Sequence, residues 1–102
     1  MEKILTDKLK EIIVICKKHN IDSIAVFGSA AKNEMNENSD IDFLVKFSNK
    51  INVLDYADNY FSVLEKLEKL IGKKVDLVSV KSLKNPILIS EINNSKIELY
   101  AA

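Results

Sequence analysis

The sequence predicts an α/β (α+β) fold: a small mixed β-sheet with helices packed on one face. Short apolar runs of strand length occur in three places along the chain. Between them, apolar residues recur at the spacing that is typical of helices. Because the two patterns alternate, we expect the strands to form one sheet that the helices cover.

The first helix is predicted over residues 3–19. Its apolar residues recur every three or four positions: Leu5, Leu9, Ile12, Ile13 and Cys16. Residues 17–19 place positive charge at the negative end of the helix dipole, and Asn20 is a suitable terminator. His19 is therefore interpreted as a helix-end residue rather than a ligand or a base. Cys16 is expected to be buried as a small hydrophobic residue.

Two strands are predicted next, over residues 23–28 and 40–47. A short helix at residues 30–32 and a polar loop at residues 33–39 connect them, and we expect the loop to face solvent. The loop contains two acidic residues, Glu34 and Glu37. For both, we favour solvated side chains over additional metal ligands.

The longest helix is predicted over residues 53–71, with Asn52 as its N-cap and Gly72 as the residue that ends it. Its predicted apolar face consists of Leu54, Ala57, Phe61, Leu64, Leu67, Leu70 and Ile71. Tyr56 and Tyr60 flank that face. They either form the edge of the core or stack on a nucleobase, and the core edge is the preferred interpretation.

The last part of the chain predicts a strand over residues 75–80 and a helix that opens at Asn85-Pro86, where proline takes the favoured first position. Residues 93–95, Asn-Asn-Ser, are predicted to break this helix. Alternation over residues 96–100 indicates a possible closing strand.

Length and composition limit the classes of function. The 102 residues suffice for one domain, expected to span residues 1–102. The chain carries 15 basic residues, all lysine, and 15 acidic ones, so its formal net charge is zero. Proteins that track a nucleic-acid backbone are usually strongly basic, so a long DNA or RNA substrate is not expected. A single cysteine cannot form an internal disulfide. The sequence contains no apolar run of about 20 residues, the length that a membrane span requires, so a cytoplasmic protein is expected.

The clearest chemical signal lies between Gly28 and Asp42, where the sequence reads GSAAKNEMNENSDID. Ten residues separate Ser29 from Asp40. Successive strand residues point to opposite faces, so Asp40 and Asp42 are expected to share a face, about 7 Å apart along the strand. Such a carboxylate pair suits Mg²⁺, which prefers carboxylates together with substrate phosphates.

Gly28 and Ser29 supply the second half of this signal. A glycine turn that runs into a helix leaves unpaired N–H groups at the positive end of the helix dipole, which favours anions. A phosphate site beside two metal-binding carboxylates indicates phosphoryl or nucleotidyl transfer.

Asp76 interrupts the apolar strand predicted over residues 75–80. A carboxylate is costly to bury without a partner. Asp76 therefore either faces water at a strand edge, or joins Asp40 and Asp42 as a third ligand.

The combination of Gly-Ser, ten residues and Asp-x-Asp between two apolar strands resembles the signature of the DNA polymerase β-like nucleotidyltransferases. The small size resembles the minimal nucleotidyltransferase (MNT) branch, whose members are often antitoxins encoded beside a HEPN-family toxin. The resemblance covers nearly the whole chain. It implies the polymerase β-like fold, with Asp76 as the third carboxylate on a strand in the corresponding place.

The resemblance also implies an activity, namely Mg²⁺-dependent transfer of AMP from ATP to a tyrosine hydroxyl of a partner HEPN toxin. Asp40, Asp42 and Asp76 would be the catalytic carboxylates and would hold two Mg²⁺ ions. Gly28, Ser29 and Lys32 would bind the nucleotide phosphates. Many relatives run G-S-x-A-R-G, whereas this chain has Lys32-Asn33 in place of Arg-Gly, and lysine lacks the bidentate fork of arginine.

A second hypothesis belongs to another class of function. The domain would then be a catalytically idle antitoxin that neutralises its partner by direct contact, as part of a hetero-oligomer. The presence of all three carboxylates favours the enzyme.

Overall fold

The computed structural model describes residues 1–102 and contains a four-stranded mixed sheet, as predicted. The strands are β1 (Ile21–Phe27), β2 (Ile41–Phe47), β3 (Val75–Ser79) and β4 (Ile97–Ala101). Their order in the sheet is β3-β2-β1-β4. Strand β1 is antiparallel to both of its neighbours, whereas β2 and β3 run parallel. The closing strand that the alternation indicated is therefore present, at one edge of the sheet.

Five helices and one short turn connect the strands. The helices are α1 (Lys3–Asp7), α2 (Leu9–Lys18), α3 (Gly28–Lys32), α4 (Val53–Ile71) and α5 (Pro86–Ser95), and a 3₁₀ turn spans Val80–Ser82. None of these helices has both the length and the apolar character that crossing a bilayer requires.

The first predicted helix is divided in two at Lys8. The backbone of Lys8, with φ −103° and ψ 9°, departs from helical values. Helix α1 makes its own contacts with the rest of the protein: the Glu2 N–H donates to the carbonyl of Ala30 at 2.9 Å, and Leu5 is fully buried. The chain therefore bends at Lys8 so that α1 and α2 both reach the core.

Several other predicted boundaries were wrong, including the starts of α3 and β2, which lie at Gly28 and Ile41. Strand β1 starts at Ile21 and ends before Gly28, which belongs to α3. Strand β3 ends at Ser79, because Val80 begins the 3₁₀ turn. Helix α5 continues through residues 93–95 instead of breaking there. Burial of Ile92 in its last turns outweighs the weak helix propensity of the Asn-Asn-Ser segment.

The main core lies between one face of the sheet and helices α1, α2 and α4. Strand β2 alternates as predicted: Ile41, Phe43 and Val45 are buried, while Asp42 points to the opposite face. Cys16 is fully buried, and this burial raises the pKa of its thiol to about 12. The thiol is thus an inert core group, as expected.

Both predicted ends of α4 are confirmed. The Asn52 side chain accepts a hydrogen bond from the Leu54 N–H at 3.0 Å, and Gly72 has a left-handed φ of +74°. The predicted apolar face was wrong in its first half, because Leu54 is 86% exposed and Phe61 62% exposed. The buried face runs from Tyr56 and Tyr60 through Val63 to Leu67 and Ile71, so it coincides with the predicted face only in the second half of the helix.

Two tyrosines attach the first half of α4 to the sheet. The hydroxyl of Tyr56 donates to Oγ of Ser79 at 2.9 Å, and the hydroxyl of Tyr60 donates to the carbonyl of Leu77. The ring of Tyr56 also packs edge-on against Phe47, with 5.2 Å between the ring centroids. Both tyrosines are therefore core-edge residues tied to β3 and the sheet, which is the preferred of the two predicted roles.

Candidate active site

Asp42 and Asp76 lie side by side on the face of the sheet opposite the main core. Strands β2 and β3 are parallel, and their register pairs Asp42 directly with Asp76. The residues on either side of Asp76, Val75 and Leu77, are buried, so its exposed side chain points away from the core. The structure thus brings together two carboxylates that are 34 positions apart in the sequence.

Asp40 lies two residues before Asp42, just outside β2, and is exposed. Both Asp40 and Asp76 act on Asp42 through their charges. Partial burial raises the pKa of Asp42 from its ordinary 3.8 to about 6, and the charges of Asp76 and Asp40 add to the rise. The ionised form of Asp42 is therefore disfavoured, first by burial and then by its two acidic neighbours.

Gly28 lies against the Asp42 carboxylate from the neighbouring strand. The register pairs Phe27, the last residue of β1, with Asp42, and Gly28 follows with a left-handed φ of +68°. A Cβ atom at Gly28 would lie 2.7 Å from Oδ2 of Asp42. Only glycine accepts both this backbone conformation and this close approach. The turn therefore brings main-chain atoms directly against the carboxylate.

A pocket of about 520 Å³ surrounds this turn. Its lining residues are Phe27, Gly28, Lys32, Asp42, Asp76, Val78, Leu88, Glu91, Asn94 and Ser95. Four of the six predicted site residues thus line one cavity of the size that small-molecule sites usually have. Asp40 and Ser29 do not line it, although each lies within two residues of one that does.

Helix α5 supplies one wall of the pocket, which sequence reasoning missed. Leu88, Glu91 and Ser95 are spaced three and four apart, so they share one face of the helix. This periodic signal was available in the sequence, but the predicted break at residues 93–95 concealed it. The contact itself has no local signal, because Gly28 and Ser95 are 67 residues apart.

The donor set fits Mg²⁺, although it is not a closed cage. No three His, Cys, Asp or Glu side chains converge closely enough to form a ready metal site. Mg²⁺ does not require such a cage, because it usually takes one or two carboxylates and completes its shell with water and substrate phosphates. The pKa of Asp42 is raised first by partial burial and then by the charges of Asp76 and Asp40, and a bound dication would favour its ionised form.

Other predicted candidates lie away from this cavity. Glu34 and Glu37 are exposed in the loop before β2, as expected for solvated side chains. His19 bonds to Asn59 through Nδ1 and to Lys66 through Nε2, each at 2.9 Å. His19 therefore links the end of α2 to α4, in agreement with its interpretation as a helix-end residue.

Two known proteins with similar sequences are named as protein adenylyltransferases. A Methanocaldococcus jannaschii protein, provisionally named as a protein adenylyltransferase, is 38% identical over 95 residues, covering 88% of this chain and 93% of that protein. The protein adenylyltransferase MntA of Thermococcus cleftensis is 38% identical over 87 residues, covering 85% of this chain and 81% of its own length.

The fold is also similar to that of a solved complex. A structure of a tri-AMPylated Shewanella oneidensis HEPN toxin with an MNT antitoxin contains a chain that aligns with a TM-score of 0.66. The alignment covers 95% of this chain and 72% of that one, at 19% identity. The family model for polymerase beta nucleotidyltransferase domains matches residues 10–102. Since this model spans most of the sequence, the chain belongs to the polymerase beta nucleotidyltransferase family.

Proposed function

We propose that this protein transfers AMP from ATP to a hydroxyl group of a partner protein, most simply a tyrosine of a HEPN toxin. The observation that carries this proposal is the pairing of Asp42 with Asp76 directly beside the Gly28 turn. The similarity to protein adenylyltransferases narrows the reaction from nucleotidyl transfer in general to adenylyl transfer onto a protein.

In this reaction the hydroxyl oxygen attacks the α-phosphorus of ATP. A new oxygen–phosphorus bond forms, the bond to the β-phosphate bridging oxygen breaks, and pyrophosphate leaves. The hydroxyl proton passes to solvent or to a nearby carboxylate. The main tasks for the protein are to align the two reactants and to balance the charge on the phosphates.

The six predicted site residues would divide these tasks among them. Asp40, Asp42 and Asp76 would hold Mg²⁺, which when bound neutralises phosphate charge and lowers the pKa of an attacking hydroxyl. Gly28 would let the main chain approach the triphosphate closely, and Ser29 would present its own N–H and its hydroxyl, because the Gly28 N–H is bonded to Ser95. Lys32, which lines the same pocket, adds a mobile positive charge.

Calorimetry with the non-hydrolysable analogue AMP-PNP tests the nucleotide site. Binding should occur with Mg²⁺, be lost with EDTA, and be lost in Asp76→Asn. Asp58→Asn, an exposed change on α4 away from the pocket, serves as the matched control and should bind normally. Equal affinity with Mg²⁺ and with EDTA would contradict a metal-dependent site.

One observation favours the alternative of an antitoxin that acts by contact alone. Val53, Leu54 and Phe61 expose 88%, 86% and 62% of their surface along α4, and exposed apolar patches often mark protein interfaces. Neutralisation assays with Asp40→Ala protein separate the two functions. An adenylyltransferase should lose protection of cells against the toxin, whereas a contact-only antitoxin should keep it.

A further inference from the structure

The N–H of Gly28 is bonded to the hydroxyl of Ser95, the last residue of α5. The donor–acceptor distance from the Gly28 nitrogen to Oγ of Ser95 is 3.1 Å. The same hydroxyl donates to the carbonyl of Glu91, also at 3.1 Å. Because the hydroxyl has one proton and donates it to Glu91, its orientation is fixed, and a lone pair faces Gly28.

Ser95 is itself held in place. Ile92, one turn earlier on α5, is 1% exposed, and its carbonyl accepts a bond from the Lys96 N–H at 2.8 Å. The last turn of α5 is thus anchored by burial on one side and by backbone bonding at its end. Ser95 therefore offers Gly28 a stationary acceptor.

Gly28 stands between this acceptor and the carboxylate pair. On one side its N–H meets Ser95, and on the other its Cα faces Oδ2 of Asp42 so closely that no Cβ fits. A small shift of Gly28 would change both its spacing from Asp42 and the direction of the following Ser29. The position of the Gly28-Ser29 turn thus depends on a residue 67 positions away.

We propose that Ser95 is a positioning residue that sets the Gly28-Ser29 turn for nucleotide binding. It acts through Gly28, and no contact between Ser95 and the nucleotide is required. This inference rests on the proposed function, in which that turn receives the triphosphate of ATP.

Replacement of Ser95 tests the inference. Ser95→Ala removes the acceptor of the Gly28 N–H and leaves the turn free to shift, so AMP-PNP affinity in Mg²⁺ should fall about threefold to tenfold, the worth of one hydrogen bond. Ser95→Thr keeps a hydroxyl and should restore most of the affinity. Ser90→Ala removes an exposed serine hydroxyl on the same helix that does not line the pocket, and it should bind like the wild type.

A spectroscopic measurement separates positioning from general loss of structure. The chain has only two glycines, Gly28 and Gly72, so ¹⁵N-glycine labelling gives two amide signals. In Ser95→Ala without ligand, the Gly28 signal should move and its hydrogen exchange should speed up. The Gly72 signal should stay in place, because its N–H bonds to the Glu68 carbonyl on α4.

The possible failures are distinguishable. If the wild type does not bind AMP-PNP with Mg²⁺, the proposed function fails and the role of Ser95 falls with it. If the wild type binds, but Ser95→Ala binds as tightly or more tightly, only the positioning role is overturned. Displacement of both glycine signals in Ser95→Ala, without rescue by Ser95→Thr, would likewise overturn it in favour of a general structural role.

Discussion

Oδ2 of Asp42 lies only 2.7 Å from the position that a Cβ atom on Gly28 would occupy. Gly28→Ala therefore meets two costs: a left-handed backbone and a clash with a carboxylate. Gly72→Ala is the matched control, since it has φ +74° but nothing within 4 Å of the added atom. We expect Gly72→Ala to cost about 1 kcal/mol in the free energy of unfolding, and Gly28→Ala to cost more and to abolish nucleotide binding.

Thermal denaturation and AMP-PNP calorimetry measure these two effects. A Gly28→Ala protein that is no less stable than Gly72→Ala and binds nucleotide normally would contradict the close contact between Gly28 and Asp42.

Because the pKa of Asp42 is raised in the folded protein, we expect the stability of the fold to depend on pH. Its pKa is about 6 in the folded protein and 3.8 ordinarily, so the folded state binds more protons between these values. Its contribution to stability is fully present below about pH 4 and is lost as the pH rises through about 6. Asp42→Asn removes this loss, so without metal it should be the more stable protein at pH 7.5.

Because Asp42 is partly exposed, solvent screening reduces the expected gain of Asp42→Asn to about 1 kcal/mol, or roughly 5 °C in the thermal midpoint. The difference from the wild type should shrink as the pH falls to 4.5. Thermal melts in EDTA at both pH values provide the measurement. A less stable Asp42→Asn protein at pH 7.5 would mean that this carboxylate is a structural hydrogen-bond partner.

Removal of the Lys32 side chain should weaken nucleotide binding without changing the stability of the fold. Its exposed side chain lines the pocket and is placed to neutralise phosphate charge. Lys32→Ala should weaken AMP-PNP binding about tenfold, as expected for one hydrogen bond to a charged group. The thermal midpoint should not move, and Lys69→Ala, on exposed α4 surface, is the control. Unchanged affinity in Lys32→Ala would mean that Lys32 is only a solvated residue.

Much of the site was predictable because its signals are local. The alternation of β2 places Asp42 opposite Ile41 and Phe43, and the glycine before Ser29 marks the turn. Asp76 stood out because it interrupts an apolar strand, and the pairing of β2 with β3 brings it beside Asp42. The placement of Asp42 and of the turn needed only spacing and residue type, whereas the role of Asp76 as a third carboxylate depended on the family resemblance.

What was missed depended on tertiary contacts. In the first half of α4 the core-facing side carries Tyr56 and Tyr60 rather than Leu54 and Phe61, and the tyrosine hydroxyls bond to Ser79 and Leu77. Helix α5 extends through a segment of weak helix formers because Ile92 is buried. The contribution of α5 to the pocket lining could therefore be recognised only from the structure.

The central claim is that the Asp42–Asp76 pair supports transfer of AMP to a partner protein. The most direct measurement is the intact mass of a cognate HEPN toxin after incubation with this protein, ATP and Mg²⁺. We predict mass additions of whole AMP units with the wild type, and none with Asp40→Ala or Asp76→Asn. A toxin that is neutralised without any gain in mass would contradict the claim.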